Sequence, residues 1–255
     1  FGFFLEYCKN YAIINADNNL ITKQQSRTKV LVAGVYKKDL TKYEVLQKGT
    51  NFAIDGKNYS FNLLLPEDTF YAIQATFLLL TYLKIPANNF NNFTLPPGRS
   101  SIFSGIRNTT IIDSSYNATP ASMEAALNMY KVYPAKNKWA IISDMVDLGK
   151  EEEIEHKNLA KLITVCKLDK VILMGPRVIK YTLPGLQGSS VKSFLTPKEA
   201  LDYLQKNLKG GETLFFKGAR FLEGVIEHLL KNKEDVSKLC RRESIWQKRR
   251  KQWRL

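Results

Sequence analysis

The chain has 255 residues, 44% of them hydrophobic, and a formal net charge of +14. Its length and composition suffice for one or two buried cores and exclude a wholly disordered chain. No apolar run approaches the ~20 residues of a membrane-spanning helix, and three scattered cysteines exclude a disulfide framework. These features favour a cytoplasmic protein. The basic segment 238–255 carries eight Lys or Arg and one acid, so half of the excess charge lies there.

Residues 1–94 predict short strands followed by a helix. Two apolar runs favour strands, the dipeptide Asp55-Gly56 favours a hairpin, and a longer apolar segment favours a helix that ends before Pro86. The elements are strands at 11–15 and 29–33, a hairpin within 51–65, and a helix at 69–83. An Asn-rich connector then marks a domain boundary near Thr94.

Residues 95–255 alternate strands and helices, which predicts an α/β fold with a mostly parallel sheet and helices on both faces. Thr119 and Pro120 form a helix start, and Thr196 with Glu199 forms a capping box. The predicted strands are 109–112, 138–143, 170–174 and 213–216, and the predicted helices are 120–132, 151–166, 197–208 and 220–231.

Polar residues follow several of these strands, at the sheet edge where ligands bind in parallel α/β folds. Asp113 could bind ribose hydroxyls, and Asn117 with the helix start could hold an anion, although capping and chain reversal explain this loop equally well. Lys217 and Arg220 flank Gly218 and suit a phosphate or carboxylate, or simply form a basic surface loop.

The loop after strand 138–143 runs Asp144-Met-Val-Asp-Leu-Gly149 and leads into an acidic helix start. Glu152 and His156 stand one helical turn apart, so a metal pair is conceivable. A solvated helix face is the favoured interpretation, because two ligands are too few for a metal site. The sequence contains neither GxxxxGK[ST] nor GxGxxG, so the phosphate loop of P-loop NTPases is missing from these residues.

Taken together, these segments resemble the Mur ligase family, ATP-dependent amide-forming enzymes of peptidoglycan precursor synthesis. Within the family, the Tyr116-Asn-Ala-x-Pro and Asp144-Met-x-x-Leu-Gly segments resemble the branch that adds D-alanyl-D-alanine. The segments that carry the resemblance are Ile14-Asn-Ala-Asp-Asn-Asn19, Gly98-Arg99, Asp113-Ser-Ser-Tyr-Asn-Ala-Thr-Pro-Ala-Ser-Met123 with Ala125-Ala-Leu127, Asp144-Met-Val-Asp-Leu-Gly149 with Glu152 and His156, and Lys217-Gly-Ala-Arg220.

The resemblance implies a Rossmann-like C-terminal Mur ligase domain at 95–255, with its basic tail at 238–255, preceded by the later half of a central ATP-binding domain at 1–94. It implies a fragment that lacks the phosphate loop and is inactive alone. The whole ligase would use ATP and Mg²⁺ to add D-alanyl-D-alanine to a UDP-N-acetylmuramoyl-peptide through an acyl phosphate. The magnesium ligands are expected upstream of Phe1, so no metal site and no complete catalytic set is expected here. A monomer without nucleic acid is expected.

The resemblance also assigns roles to individual residues. It places Arg99 at the ATP phosphates and Asp113 at the ribose, while Tyr116, Asn117 and Thr119 line the cleft. Lys217 and the loop through Arg220 would face the incoming amino-acid substrate.

The sequence departs from the family pattern at three places. Ser114 replaces the second of two acids, which weakens the case for the ribose contact, and Ala219 replaces a serine. The run Glu67-Asp-Thr-Phe-Tyr71 stands where the family has His-Asn-x-x-Asn near adenine. Asp68 could still accept a hydrogen bond from adenine and Tyr71 could stack on it, or the two could be a helix-start acid and a core aromatic.

Three alternatives stay open. The chain could be a non-catalytic nucleotide- or partner-binding module derived from a Mur ligase, or it could belong to another branch of the family. Its charge also raises the possibility of a nucleic-acid binder, although no RRM, KH or HTH signature is visible. The two Trp of the tail favour a segment that docks on the last domain.

Overall fold

The computed structural model describes residues 2–86, 92–188, 190–219 and 221–255, without the side chain of Ser26. The chain divides into two compact units, residues 1–93 and 94–255, and each is described by itself. Among the described residues, no helix combines the length and the apolar character that crossing a membrane requires.

The first unit contains a parallel strand pair, an antiparallel three-stranded sheet and a helix of 14 residues. Its hairpin turns at Asp55 and Gly56, which have φ angles of +49° and +74°, so the predicted turn is confirmed. Strand β3 was not predicted, and β2 begins two residues later than expected. The elements are α1 (Gly2–Glu6), β1 (Tyr11–Asn15), α2 (Asn19–Thr22), β2 (Leu31–Val35), β3 (Leu40–Leu46), β4 (Gly49–Ile54), β5 (Lys57–Phe61) and α3 (Thr69–Tyr82).

The second unit is an α/β domain with a six-stranded sheet among its described residues. Its elements are β6 (Ser101–Ser104), β7 (Thr110–Ser114), α4 (Pro120–Val132), β8 (Lys138–Ser143), α5 (Glu152–Val165), β9 (Lys170–Met174), β10 (Val191–Phe194), α6 (Pro197–Asn207), β11 (Thr213–Lys217), α7 (Leu222–Leu229) and α8 (Ser244–Lys251). The strand order is β10-β9-β8-β11-β7-β6, and only the edge pair β6–β7 is antiparallel. The predicted fold class is therefore confirmed.

Helices cover both faces of this sheet because successive side chains of a strand point to opposite sides. On β11, Leu214 and Phe216 belong to a buried cluster with residues of α6 and α7. Phe215, between them, stacks on Tyr130 of α4 with ring centroids 4.7 Å apart. Parallel strands buried on both faces read as continuous apolar runs, which is why the sequence reveals them.

Strand β11 lies between β7 and β8, although it comes after both in the chain. The segments that leave the carboxyl ends of these three strands therefore meet at one edge of the sheet. This edge holds the polar loops that the sequence singled out.

Candidate functional site

Lys217, the last residue of β11, is a buried cation at the centre of this edge. The residue is only 4% exposed, and its Nζ donates a hydrogen bond to the main-chain oxygen of Asn117 at 2.6 Å. Burial, reinforced by the charge of Arg99 and opposed by that of Asp113, lowers the pKa of Lys217 to about 8. A fixed ammonium group in a dehydrated position interacts strongly with an anion that approaches it.

Gly218 allows the chain after Lys217 to pass close to the neighbouring strand. Its φ angle is +140°, and a Cβ atom there would lie 2.7 Å from main-chain atoms of Ser143. Glycine is therefore required on both conformational and steric grounds. Arg220, which the sequence assigned to this loop, lies outside the described residues.

The loop after β7 is shaped by local hydrogen bonds at the start of α4. Thr119 forms a capping box with Ser122, and the Oδ1 atom of Asn117 accepts from the N–H of Ala118 at 2.8 Å. Asn117 and Thr119 are both exposed on this loop. Asn117 and Thr119 therefore do cap the helix and turn the chain, as considered above. Their contact with a ligand stays a prediction.

Arg99 and Tyr116 form an exposed pair beside this loop. The guanidinium carbon of Arg99 lies 4.6 Å from the centroid of the Tyr116 ring, which is 45% exposed. The N–H of Tyr116 donates to the carbonyl of Gly98 at 3.2 Å, so the two segments are joined through the main chain as well. Arg99 therefore presents its charge at the open side of the site, close to Lys217.

Asp113 points inward rather than to the open side. It is fully buried, and its Oδ1 accepts from the N–H of Ser115 at 2.9 Å. Its Oδ2 has no hydrogen-bond partner in the described part of the chain, and burial raises the pKa of the carboxyl. The expected contact with ribose stays a prediction, because in this arrangement the carboxylate lies beneath the loop.

Arg241, in the basic tail, belongs to the same site and was missed by the sequence analysis. Its Nη2 donates to the main-chain oxygen of Tyr116 at 2.6 Å. From the sequence alone, residues 238–255 stand out only as a basic segment that contains two Trp. Both Trp246 and Trp253 contact Phe221, with centroid distances of 6.2 and 6.3 Å, so the predicted docking of the tail is confirmed.

Asp144 and His156 have structural partners next to the site. Oδ1 of Asp144 accepts the N–H groups of Arg177 and Val178, each at 3.0 Å. His156 is fully buried and bonded through Nε2 to the N–H of Met145, so the interpretation of this helix face as solvated is wrong for His156. The carboxylate of Glu152 pairs with Arg177 instead. Among the described residues, no group of three or more His, Cys, Asp or Glu could hold a metal ion.

Asp68 and Tyr71 lie in the first unit. Asp68 is exposed at the start of α3 and makes no capping hydrogen bond. The hydroxyl of Tyr71 donates to Oδ2 of Asp17 at 2.8 Å, and burial together with this bond raises its pKa to about 12. Their contacts with adenine stay predictions.

Comparison with known proteins agrees with this architecture. Residues 98–220 match the family described as Mur ligase, glutamate ligase domain. The chain is 30% identical over 235 residues to the UDP-N-acetylmuramoyl-tripeptide–D-alanyl-D-alanine ligase of Rickettsia prowazekii, with 85% of this chain and 52% of that protein covered. It is 28% identical over 240 residues to the ligase of the same name from Escherichia coli, with 87% and 52% covered.

The fold is similar to that of the MurF ligase from Thermotoga maritima, solved in complex with ADP. The TM-score is 0.71 at 19% identity, with 89% of this chain and 54% of that chain covered. The chain spans about half the length of the curated relatives it matches. The matched family, the named relatives and the shared fold agree with one another, and residues 98–220 of this chain belong to the Mur ligase family.

Proposed function

We propose that this chain contributes the nucleotide- and substrate-facing part of an ATP-dependent ligase that adds D-alanyl-D-alanine to a UDP-N-acetylmuramoyl-tripeptide. The observation that carries the proposal is the buried ammonium group of Lys217, held on the carbonyl of Asn117 with the guanidinium of Arg99 nearby. Two fixed cations at the carboxyl edge of a parallel sheet suit phosphate and carboxylate ligands. The names of the relatives supply the substrate class.

The proposed reaction forms an amide in two steps. The peptide carboxylate attacks the γ-phosphorus of ATP, ADP leaves, and an acyl phosphate results. The amine of D-alanyl-D-alanine then attacks the acyl carbon, loses a proton and releases inorganic phosphate. In the first step negative charge is spread over the oxygens of the transferred phosphoryl group, and in the second step it develops on the acyl oxygen; preorganised cations stabilise both.

The residues of this chain have distinct roles in the proposal. Arg99 is exposed and reaches the nucleotide phosphates, while Lys217 binds a carboxylate or phosphate oxygen at the floor of the site. Tyr116 offers its ring beside Arg99. Magnesium accompanies ATP in such reactions and screens phosphate charge. In this proposal Arg99 and Lys217 contact the substrates directly.

Calorimetric titration of the 255-residue chain with ADP tests the binding role. Arg99→Met should weaken ADP or ATP affinity at least about tenfold, because a charge-assisted contact is worth roughly 1.5–3 kcal/mol. Lys217→Met should weaken the affinity for the nucleotide or, in a parallel titration, for D-alanyl-D-alanine to a similar degree. Lys157→Met is the matched control: it removes an exposed lysine of α5 that pairs with Glu153. The nucleotide affinity of Lys157→Met should stay within about twofold of that of the unmodified chain. Failure of the unmodified chain to bind either nucleotide at millimolar concentration would contradict the proposal.

Phosphate release tests the catalytic part. With ATP, UDP-N-acetylmuramoyl-tripeptide and D-alanyl-D-alanine, the 255-residue chain should bind nucleotide but release no phosphate above background, because its sequence holds no GxxxxGK[ST] loop. Substrate-dependent turnover by these residues alone would overturn the assigned roles.

A further inference from the structure

The basic tail continues the Arg99–Tyr116 pair as an alternating series of guanidinium groups and aromatic rings. The guanidinium carbon of Arg241 lies 6.0 Å from the ring centroid of Tyr116 and 5.0 Å from that of Trp246. The guanidinium carbon of Arg249 lies 4.9 Å from the same Trp246 centroid. The series therefore runs without interruption from the open side of the site into α8. Stacked guanidinium–ring contacts restrict both partners.

Arg241 joins three parts of the fold through its two terminal nitrogens. Nη2 donates to the main-chain oxygen of Tyr116 at 2.6 Å, and Nη1 donates to Oε2 of Glu223 at 3.2 Å. Glu223 lies on α7 and is fully buried. The planar fork of arginine can satisfy these two acceptors at once, whereas lysine presents a single ammonium group.

The backbone at Arg241 is held in an unfavourable conformation. Its φ angle is +58°, a left-handed value that is strained for a non-glycine residue. Arg250, only 5% exposed, donates from Nη1 to the main-chain oxygen of Arg241 at 2.8 Å and lies 3.6 Å from Oε1 of Glu223. The tail thus folds back on itself, and its own α8 stabilises the geometry of Arg241.

The tail also supplies positive charge to a buried acid of α7, Glu223. Glu223 is fully buried, and the cations that face it from the tail are Arg241 and Arg250. Asp113 is also fully buried; Lys217 lies near it, and the charge of Arg241 acts in the same direction. Cys240 lies alongside, with its Sγ 3.8 Å from the Oγ of Ser115. A buried acid left without its cation is strongly destabilising, so this part of the site requires the tail.

We propose that Arg241 is a positioning residue for the loop 114–119, and that the tail forms part of the nucleotide site through Arg241 and through Arg250, which supports it. Arg241 fixes the main chain and ring of Tyr116, and Tyr116 in turn fixes Arg99 where it meets the phosphates. The nucleotide as ligand rests on the function proposed above. The role in ordering the loop rests only on the contacts of Arg241 and holds without any ligand.

Hydrogen exchange of the 255-residue chain, read on peptides covering 114–119, tests the ordering directly. Arg241→Met should raise exchange in this loop about tenfold, because the bond to Tyr116 and the ring contacts are lost. Arg242→Met is the matched control: Arg242 is the adjacent arginine, it pairs with Glu227 at 2.6 Å, and its other bond is to the carbonyl of Cys240. In this control, loop exchange should stay within about twofold of the unmodified chain.

The variant Arg241→Lys distinguishes ordering of the loop 114–119 by the two hydrogen bonds of Arg241 from a simple effect of its positive charge. Lysine keeps a cation beside Glu223, so the thermal midpoint should stay within about 3 °C of the unmodified chain. It cannot satisfy both acceptors, so loop exchange should stay raised and ADP affinity should stay weakened about fivefold or more. Full recovery of loop protection in Arg241→Lys would overturn the proposal, because a simple charge would then suffice.

The outcomes for the two proposals are distinguishable. If the unmodified chain binds no nucleotide, the proposed function fails, while the exchange data still decide the role of Arg241. If Arg241→Met and Arg242→Met leave the loop equally protected, the positioning role fails even when ADP binds. Raised loop exchange together with weakened ADP binding in both Arg241 variants, with Arg242→Met unchanged, supports the proposal.

Discussion

Lys217 at the end of the central strand and Asn117 in the loop after β7 are joined by a hydrogen bond of 2.6 Å between Nζ and a main-chain oxygen. The bond satisfies a cation that the fold buries, and burial lowers the pKa of Lys217 from its ordinary 10.5 to about 8. The folded state therefore binds this proton less tightly than the unfolded chain does.

This shift predicts a specific dependence of stability on pH. Between pH 8 and 10.5 the unfolded chain retains a proton that the folded chain has released, so the free energy of unfolding rises with pH in this window. Relative to Lys217→Met, the unmodified chain should gain about 2–3 kcal/mol between about pH 7.5 and about pH 10. Urea unfolding of both proteins at the two pH values measures the difference, and parallel pH profiles would contradict it.

Gly98 should tolerate a side chain far less well than another glycine of similar backbone conformation. Gly98 and Gly211 have φ angles of +74° and +80°, but a Cβ at Gly98 would lie 2.9 Å from the nitrogen of Tyr116, while Gly211 has open space. Gly211→Ala should lower the free energy of unfolding by about 1 kcal/mol and Gly98→Ala by about 2–4 kcal/mol. Denaturant titration compares them, and equal losses would show that the close approach to Tyr116 does not matter.

Asp144 should be among the most sensitive polar residues of the second unit. It is fully buried, accepts two main-chain N–H groups, and lies 3.6 Å from Nη1 of Arg177. Asp144→Ala should lower the free energy of unfolding by about 3–5 kcal/mol, because these donors lose their acceptor. Glu153→Ala, which removes one partner of an exposed pair with Lys157, should change the free energy of unfolding far less than Asp144→Ala does. Chemical denaturation of both variants decides the matter, and similar losses would argue against this role of Asp144.

Tyr130 ties α4 to two strands through its hydroxyl. The oxygen lies 2.7 Å from the carbonyl oxygen of Thr213 and 3.1 Å from that of Trp139. Tyr130→Phe should cost about 1–2 kcal/mol of unfolding free energy. Tyr203→Phe is a suitable comparison, since that half-buried hydroxyl bonds to the Nζ of Lys170; it should cost about 0.5 kcal/mol or less. Thermal unfolding of both variants measures this difference in stability. Equal losses in Tyr130→Phe and Tyr203→Phe would show that the carbonyls of Trp139 and Thr213 do not need the Tyr130 hydroxyl.

Local signals predicted much of the second unit. Strands β8 and β9 and helix α4 have the predicted bounds, because each is marked by a buried apolar run or by a capping residue with proline. Strand β10 escaped prediction because its residues are only partly buried at the edge of the sheet. The position of β11 between β7 and β8 is a tertiary property that no local pattern contains.

The site was predicted in part for the same reason. The sequence identified the loops that follow β7 and β11, because the rule for parallel sheets indicates where to look. It could not show that Asp113 turns inward, or that Arg241 reaches Tyr116 across 125 positions of the chain. Burial of His156 was missed because charged neighbours on α5 concealed the one face that packs inward.

The central place of β11 has a consequence for how the domain is made. During synthesis, β7 and β8 leave the ribosome well before residues 213–217, and until then their facing edges lack the strand that separates them. Two unpaired strand edges in the middle of an incomplete sheet are prone to incorrect association. Of the six strands that form this sheet among the described residues, β11 is the last to be synthesised, so the same late strand that carries Lys217 also determines when the sheet becomes complete.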